Sequence, residues 1–258
     1  FNDIATSIDV ATGVTDKKGL FTGKGRAKWY IGGTVKKGGF YTTTFTFLDG
    51  GKPDRVNGDR WRPWNPTIAV LLKKVHKPVT MVLSYEHVQI KSFMEPTGFD
   101  LEKHDWVSPV GKGVRADVFI KFLDLGADVP YKGLALEFVG DKNGAYVKKK
   151  DNFSVLKSDY QASSKDIYER IITNTEGKRG PPHVLLGGDD YLVFRVRSKL
   201  DAEGKVLSAF YGKIYGPFDY FVAARDKIRL ITFFNPEEND TNLEFDGVGY
   251  GDGSLFGR

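Results

Sequence analysis

Between Tyr191 and Tyr215 the chain reads Tyr-Leu-Val-Phe-Arg-Val-Arg-Ser-Lys, then Leu-Asp-Ala-Glu-Gly, then Lys-Val-Leu-Ser-Ala-Phe-Tyr-Gly-Lys-Ile-Tyr. Gly204 can take the left-handed position of a three-residue hairpin loop over Ala202 to Gly204. That loop predicts Arg195 opposite Tyr211 and Tyr191 opposite Tyr215. Side chains alternate along a strand, so even positions (Leu192, Phe194, Val196, Val206, Phe210, Ile214) form an apolar face. Odd positions collect Tyr191, Arg195, Arg197, Lys199, Tyr211, Lys213 and Tyr215, with Val193, Leu207 and Ala209 as apolar exceptions. Guanidinium forks match carboxylates and sulfates, and phenol rings offer flat apolar area with a hydroxyl attached. Such a face suits an acidic sugar.

A second strand, Thr80–Lys91, repeats the pattern: Tyr85, His87, Gln89 and Lys91 on one side, Val82, Val88 and Ile90 on the other, interrupted by Glu86. In one sheet with the hairpin it would join Gln, His, Arg, Lys and Tyr on a single face. Three motifs, Gln89-Ile-Lys91, Arg195-Val-Arg197 and Tyr211-Gly-Lys-Ile-Tyr215, resemble those of jelly-roll polysaccharide lyases of the alginate-lyase type. The order of the Arg and Gln strands is reversed relative to that family, and Lys91 stands where the family has His. The resemblance implies a jelly roll and β-elimination at a uronic acid, which needs a neutralised carboxylate, a base and an acid. Arg195 or Arg197 with Gln89 would neutralise the carboxylate. Tyr211 or Tyr215 would be base, acid or both, with His87 the alternative base. Lys213 and Lys91 would line the groove, and Tyr85 and Tyr191 would bind substrate.

A rival reading is a non-catalytic glycan-binding or structural cell-surface module. It draws on the long Gly- and Pro-rich loop Asp49–Pro66, where Trp61 and Trp64 are flanked by Arg60 and Arg62 and could stack on sugars or hold a protein. Glycoside hydrolysis needs two carboxylates, for which Glu86, Asp117, Asp124 and Glu137 are candidates. No Gly-x-Ser-x-Gly elbow, phosphate loop or His-Glu-x-x-His helix occurs in the sequence. No metal ligand set or cofactor is indicated. Structural calcium near Asp49, Asp54 and Asp59, or over Asn235–Asp240, stays open without a calcium-loop motif.

These residues need a scaffold of strands. The 258 residues are 40% hydrophobic and 14% aromatic, with 30 glycines, 11 prolines and no cysteine, which excludes disulfide scaffolds and thiolate chemistry. Period-two segments recur at Arg26–Ile31, Phe40–Phe47, Ile68–Leu72, Thr80–Lys91, Val114–Leu123, Gly133–Val139, Ala145–Lys149, Tyr191–Leu200, Val206–Tyr215 and Lys227–Phe234. Only Ser163–Thr173 reads as helical, with Ile167 and Ile171 at i, i+4. The expectation is an all-β chain: one antiparallel β-sandwich or jelly-roll domain over 1–258, one or two short helices, and a loosely held tail from Gly247. A net charge of +5 is too small for a dedicated nucleic-acid binder and suits an acidic polysaccharide partner. No apolar run is long enough to span a membrane as a helix. A chain starting at Phe1 rather than Met implies a targeting segment that was removed or never included, and with the sugar-suited aromatic face it leads to the expectation of an extracytoplasmic location.

Overall fold

The structure, a computed structural model, describes residues 9–25, 31–47, 56–57, 60–61, 67–85, 87–92, 95–123, 133–151, 153–175, 188–221 and 227–246. The chain, read above as one domain, divides into two compact units, Phe1–Leu72 and Lys73–Arg258.

The first unit holds two small hairpins. Strands β1 (Ile31–Val35) and β2 (Thr43–Phe47) pair antiparallel, as do β3 (Val56–Asn57) and β4 (Arg60–Trp61). Thr and aromatic residues fill β2, as a pleated surface favours. Ile68–Leu72 forms no strand.

The second unit is β-sandwich-like. Its remaining strands are β5 (Val82–Ser84), β6 (His87–Gln89), β7 (Thr97–Asp100), β8 (Asp105–Trp106), β9 (Val118–Leu123), β10 (Gly133–Phe138), β11 (Gly144–Lys149), β12 (Ile171–Thr175), β13 (Asp190–Leu200), β14 (Val206–Phe221) and β15 (Lys227–Phe234). One sheet has the order β12-β10-β9-β7-β8. The other runs β11-β13-β14-β15-β5, with β6 also pairing β15, and all strand pairs are antiparallel. No helix occurs among the described residues. The expected helix at Ser163–Thr173 is corrected: Ile171 and Ile172 belong to β12, paired with Glu137 and Leu136. Its two isoleucines suit a pleated edge as well as a helix face, and β10 supplies the partner.

One face of each sheet meets in a shared core. Phe99, Val118, Ile120, Leu134, Leu136, Phe138 and Ile172 come from the first sheet; Leu192, Phe194, Val196, Ile214, Ile228, Leu230 and Phe234 come from the second. The even-face residues Leu192, Phe194, Val196, Phe210 and Ile214 lie on this core, as alternation requires, but Val206, beyond the register shifts near the turn, packs against the second core instead. Each fully buried aliphatic or Phe side chain contributes on the order of 1.5–3 kcal/mol.

The six-stranded sheet has a second, smaller core on its other face. Tyr191, Val193, Ala209, Tyr211, Tyr215 and Phe233 lie there against Met81, Ala162, Leu243 and Phe245. The covering chain is irregular and knitted by backbone bonds: Ala162 N donates to Thr241 O (2.8 Å), Leu243 N to Tyr160 O (2.8 Å) and Val79 N to Glu244 O (2.8 Å). Buried side chains satisfy donors that no ladder reaches. The Glu244 carboxylate accepts from His76 N and Lys77 N at 2.8 and 2.9 Å. Asn235 Nδ2 donates to the Asp240 and Asn242 carbonyls. A covering layer without regular structure survives burial only by such pairing.

Candidate functional site

Over Tyr191–Val196 the hairpin forms in the expected register, Arg195 opposite Tyr211 and Tyr191 opposite Tyr215; nearer the turn the register shifts and Lys199 pairs with Ser208 rather than Leu207. Asp201 N donates to Lys205 O, Gly204 N donates to Asp201 O, and Gly204 sits at φ 76°. A Cβ at that φ would strain the turn.

Of the strand expected over Thr80–Lys91, β5 and β6 lie in this sheet along the β15 edge. Its face follows from register. Phe233 and Ile231 of β15 stand opposite Lys213 and Tyr215, while Arg229 and Lys227 stand opposite His87 and Gln89. By alternation His87 and Gln89 share one sheet face with Tyr211, Lys213 and Tyr215. The expected combined face exists, but it is divided into a covered end and an open end.

At the covered end, the expectation of a solvent-open ligand face is corrected. Tyr191 and Lys213 are 0% and 1% exposed, Arg195 4%, Tyr211 and Tyr215 8% each. Their polar atoms hold the cover. Arg195 Nε donates to Lys142 O (2.6 Å), its Nη2 pairs with Asp166 Oδ1 (2.9 Å), and its guanidinium lies 4.2 Å from the Tyr168 ring centre. The Tyr191 hydroxyl accepts from Asp159 N (3.0 Å), and burial pushes that phenol's pKa up, away from a role as base. Lys213 Nζ donates to Ser158 Oγ (2.9 Å) and to Leu243 O (2.7 Å). Burial lowers its pKa to about 7, with Lys73 adding to the fall and Glu244 opposing it. Tyr215 is edge-on to Tyr191, with ring centres 6.0 Å apart. Apolar area drives this burial, because tyrosines and lysine stems bury well once each polar tip has a partner.

At the open end, Tyr85 (45% exposed), His87, Gln89 and Lys91 are exposed, and Lys227 and Arg229 are half-buried beside them. Trp106 Nε1 donates to the Gln89 carbonyl (2.6 Å), fixing the β6 backbone over the sandwich core. The contributions of Lys227 and Arg229 were readable in Lys-Ile-Arg-Leu, where cations alternate with core residues.

Arg197 leaves the expected face altogether. A register shift between Val196 and Lys199, with Arg197 at φ 58°, turns its side chain to the core side. A bulge re-aims side chains in this way. Its guanidinium reaches the other sheet, bonding Asp117 through Nε (2.8 Å) and Nη2 (3.0 Å), Asp100 (3.2 Å) and Glu102. It also lies 5.0 Å from the Phe234 ring. Burial raises the Asp117 pKa, with Arg197 opposing. At Asp100 burial is outweighed by backbone donors from Lys103, Val114 and Arg115 and by Arg197, so its pKa falls. Asp117, weighed above as a hydrolytic acid, is a buried strut anchor, and Glu137 pairs with Arg170 at 2.9 Å.

Trp61 is placed in β4 opposite Val56, by backbone alone. Trp64, Glu86, Asp124, the acids at 49, 54 and 59, and the tail from 247 lie outside the described residues. The Asn235–Asp240 turn is closed by its own hydrogen bonds, Glu237 N donating to Asn235 Oδ1 at 3.0 Å. Among the described residues no group of three or more His, Asp or Glu is arranged to hold a metal ion, and no helix is long and apolar enough to cross a membrane. Comparison of the chain with protein-family models, curated proteins and solved structures finds no match.

Proposed function

We propose that this chain is a non-catalytic module that recognises an acidic polysaccharide through the open end of its six-stranded sheet. The observation that carries the reading is the exposed row Tyr85, His87, Gln89 and Lys91, set in register beside Lys227 and Arg229. Cations, an amide and one exposed phenol ring on a flat strand edge suit an extended anionic glycan. Jelly-roll connectivity and an extracytoplasmic location belong to the same proposal. β-Elimination is the weaker reading, because Arg195, Tyr211 and Tyr215 are sealed under the covering layer and Arg197 faces the opposite side.

A glycan panel tests this. Binding to a polyuronate and not to a neutral glucan is the expected result, falling as salt rises past the roughly 8–10 Å screening regime of physiological ionic strength. Absorbance from an unsaturated product should stay flat. No binding to any acidic glycan, or a rise in that absorbance, overturns the proposal.

A further inference from the structure

The chain's net charge of +5 lies entirely in its first unit. There eleven Lys and Arg stand against six Asp and Glu, whereas the second unit is balanced at 27 of each. The excess is concentrated further, because the stretch between Asp16 and Asp49 holds seven Lys and Arg and no acid. The β1–β2 hairpin lies within that stretch. We propose that the exposed face of this hairpin is a second contact surface for the acidic polysaccharide, with Lys36 and Lys37 holding its carboxylates and threonines its hydroxyls. The proposal rests on the reading that the partner is such a glycan.

Strand alternation builds the face. Register sets Gly32 opposite Thr46 and Thr34 opposite Thr44, and all four are exposed. Ile31, Gly33, Val35 and Phe45 alternate with them and are half-buried. Phe45 packs on Gly33, where a Cβ would stand 2.7 Å from the ring, so this aromatic is committed to the opposite side. The outward face is therefore flat and lined by hydroxyls. Lys36 and Lys37, both exposed, follow at the end of β1. The chain then turns, Phe40 N donating to Lys37 O (3.1 Å) with Gly39 at φ 76°. Lys37 Nζ lies 4.6 Å from the Phe40 ring centre, which holds the second cation at the tip. A Cβ at Gly38 or Gly39 would meet nothing within 4 Å, so the backbone of the tip is open to a ligand.

Charge defines the partner. Exposed lysines of the second unit stand beside carboxylates: Lys142 with Asp166 (2.6 Å), Lys199 with Glu238 (2.8 Å) and Lys148 with Asp159. Among the described residues neither Lys36 nor Lys37 has an ion pair. With every acid of the first unit counted, five positive charges stay unmatched. Such like charges repel one another, and an anionic partner offsets that repulsion. Duplex DNA carries one charge per ~1.7 Å and is met by a dense basic stripe, while single strands are met by stacking rings. Two cations beside a row of hydroxyls, with no ring on the face, match instead a polymer with one carboxylate per sugar.

Binding of polygalacturonate by the full chain, measured at several salt concentrations, tests the surface. Lys36→Gln with Lys37→Gln should weaken binding about fivefold at low salt and flatten its salt dependence, and Lys36→Arg with Lys37→Arg should keep the affinity. Thr34→Val with Thr44→Val, which suits a strand, should weaken it about threefold at every salt concentration. Lys103→Gln with Lys148→Gln removes the same charge beside carboxylates of the second unit and should change affinity less than about twofold. All these side chains are exposed, so the variants keep the fold. Unchanged binding in either hairpin variant, equal weakening by the second-unit pair, loss of affinity with the arginine pair, or tighter binding of duplex DNA each overturns the proposal. His87→Ala and Lys91→Ala read the open end of the sheet in the same assay. No binding of polygalacturonate by the unsubstituted chain removes the reading this proposal rests on, whereas binding that ignores the hairpin variants removes this proposal alone.

Discussion

One face of one sheet serves as hydrophobic core at one end and open surface at the other, with similar residues at both. The covered end carries three tyrosines, an arginine and a lysine; the open end carries a tyrosine, a histidine, a glutamine and lysines with an arginine beside them. Composition therefore does not decide exposure here. What decides it is a layer of irregular chain whose donors and acceptors meet the polar tips of Arg195, Tyr191 and Lys213. A phenol or guanidinium buried with its tip paired costs little, and its carbon area then adds to the core.

The largest expected effect separates the two ends through packing. Tyr191→Ala should destabilise the second unit by about 3–5 kcal/mol, as for other large aromatics removed from a core. Tyr85→Ala should stay within about 0.5 kcal/mol, the usual range for an exposed position. Denaturant unfolding measures both. Equal losses for the pair would erase the distinction between covered and open ends.

Next comes the response to pH. A neutral lysine amine has two N–H donors, and Lys213 spends both on Ser158 Oγ and Leu243 O. Its folded pKa is lowered to about 7 from an ordinary 10.5, chiefly by burial. Below pH 7 both folded and unfolded chains hold the proton, and the folded state bears the full cost of an ammonium there. Between pH 7 and 10.5 only the unfolded chain holds it, so stability rises with pH, at about 1.4 kcal/mol per unit for one proton. Lys150, lowered to about 8 by burial, adds a rise of the same sign from pH 8 upward. Lys213→Met should remove the larger, earlier part and leave that of Lys150. An unchanged slope between pH 7 and 8 would mean that Lys213 stays charged and the covering layer is looser than described.

Arg195→Ala comes third, with an expected loss of about 1–3 kcal/mol from the freed Lys142 carbonyl and the lost Asp166 pair. Asp166 is half exposed, which keeps the ion pair's share small. The same substitution should leave polyuronate binding unchanged. Loss of glycan affinity without loss of stability would instead return Arg195 to a ligand role.

Much of the scaffold was legible, because period-two alternation is a direct record of a two-faced strand. The hairpin register over Tyr191–Val196, the Leu192–Phe194–Val196 core face and the shared polar face of Tyr85, His87 and Gln89 all came from it. The cover was not legible. Met81, Ala162, Leu243 and Phe245 are scattered through segments with no period, so nothing in their spacing shows which surface they seek. Val193 and Ala209, apolar on the tyrosine side, were the one available signal that this side was buried. The Arg197 bulge was equally hidden. Alternation assumes an unbroken ladder, and one residue at φ 58° moved a cation from one face to the other. β7 and β8 escaped because Gly98 and the short turn after Asp100 interrupt any pattern, yet Asp100 is a carboxylate that holds both Arg197 and the backbone of its neighbouring turns.

The smallest stability effect belongs to the open end and bears most directly on function. His87→Ala and Lys91→Ala should each change folding stability by less than about 0.5 kcal/mol, since both side chains are exposed. A glycan carboxylate held by an exposed cation gains less than a buried pair, so each should weaken polyuronate binding by about 0.5–1.5 kcal/mol, roughly two- to tenfold. Lys91→Arg should keep most of the affinity if charge is what the strand offers. The weakening by Lys91→Ala should shrink at high salt, because screening removes the same Coulomb term in the unsubstituted chain. A loss of affinity that is independent of salt would point to stacking on Tyr85 rather than to charge, and Tyr85→Ala would then give the larger defect.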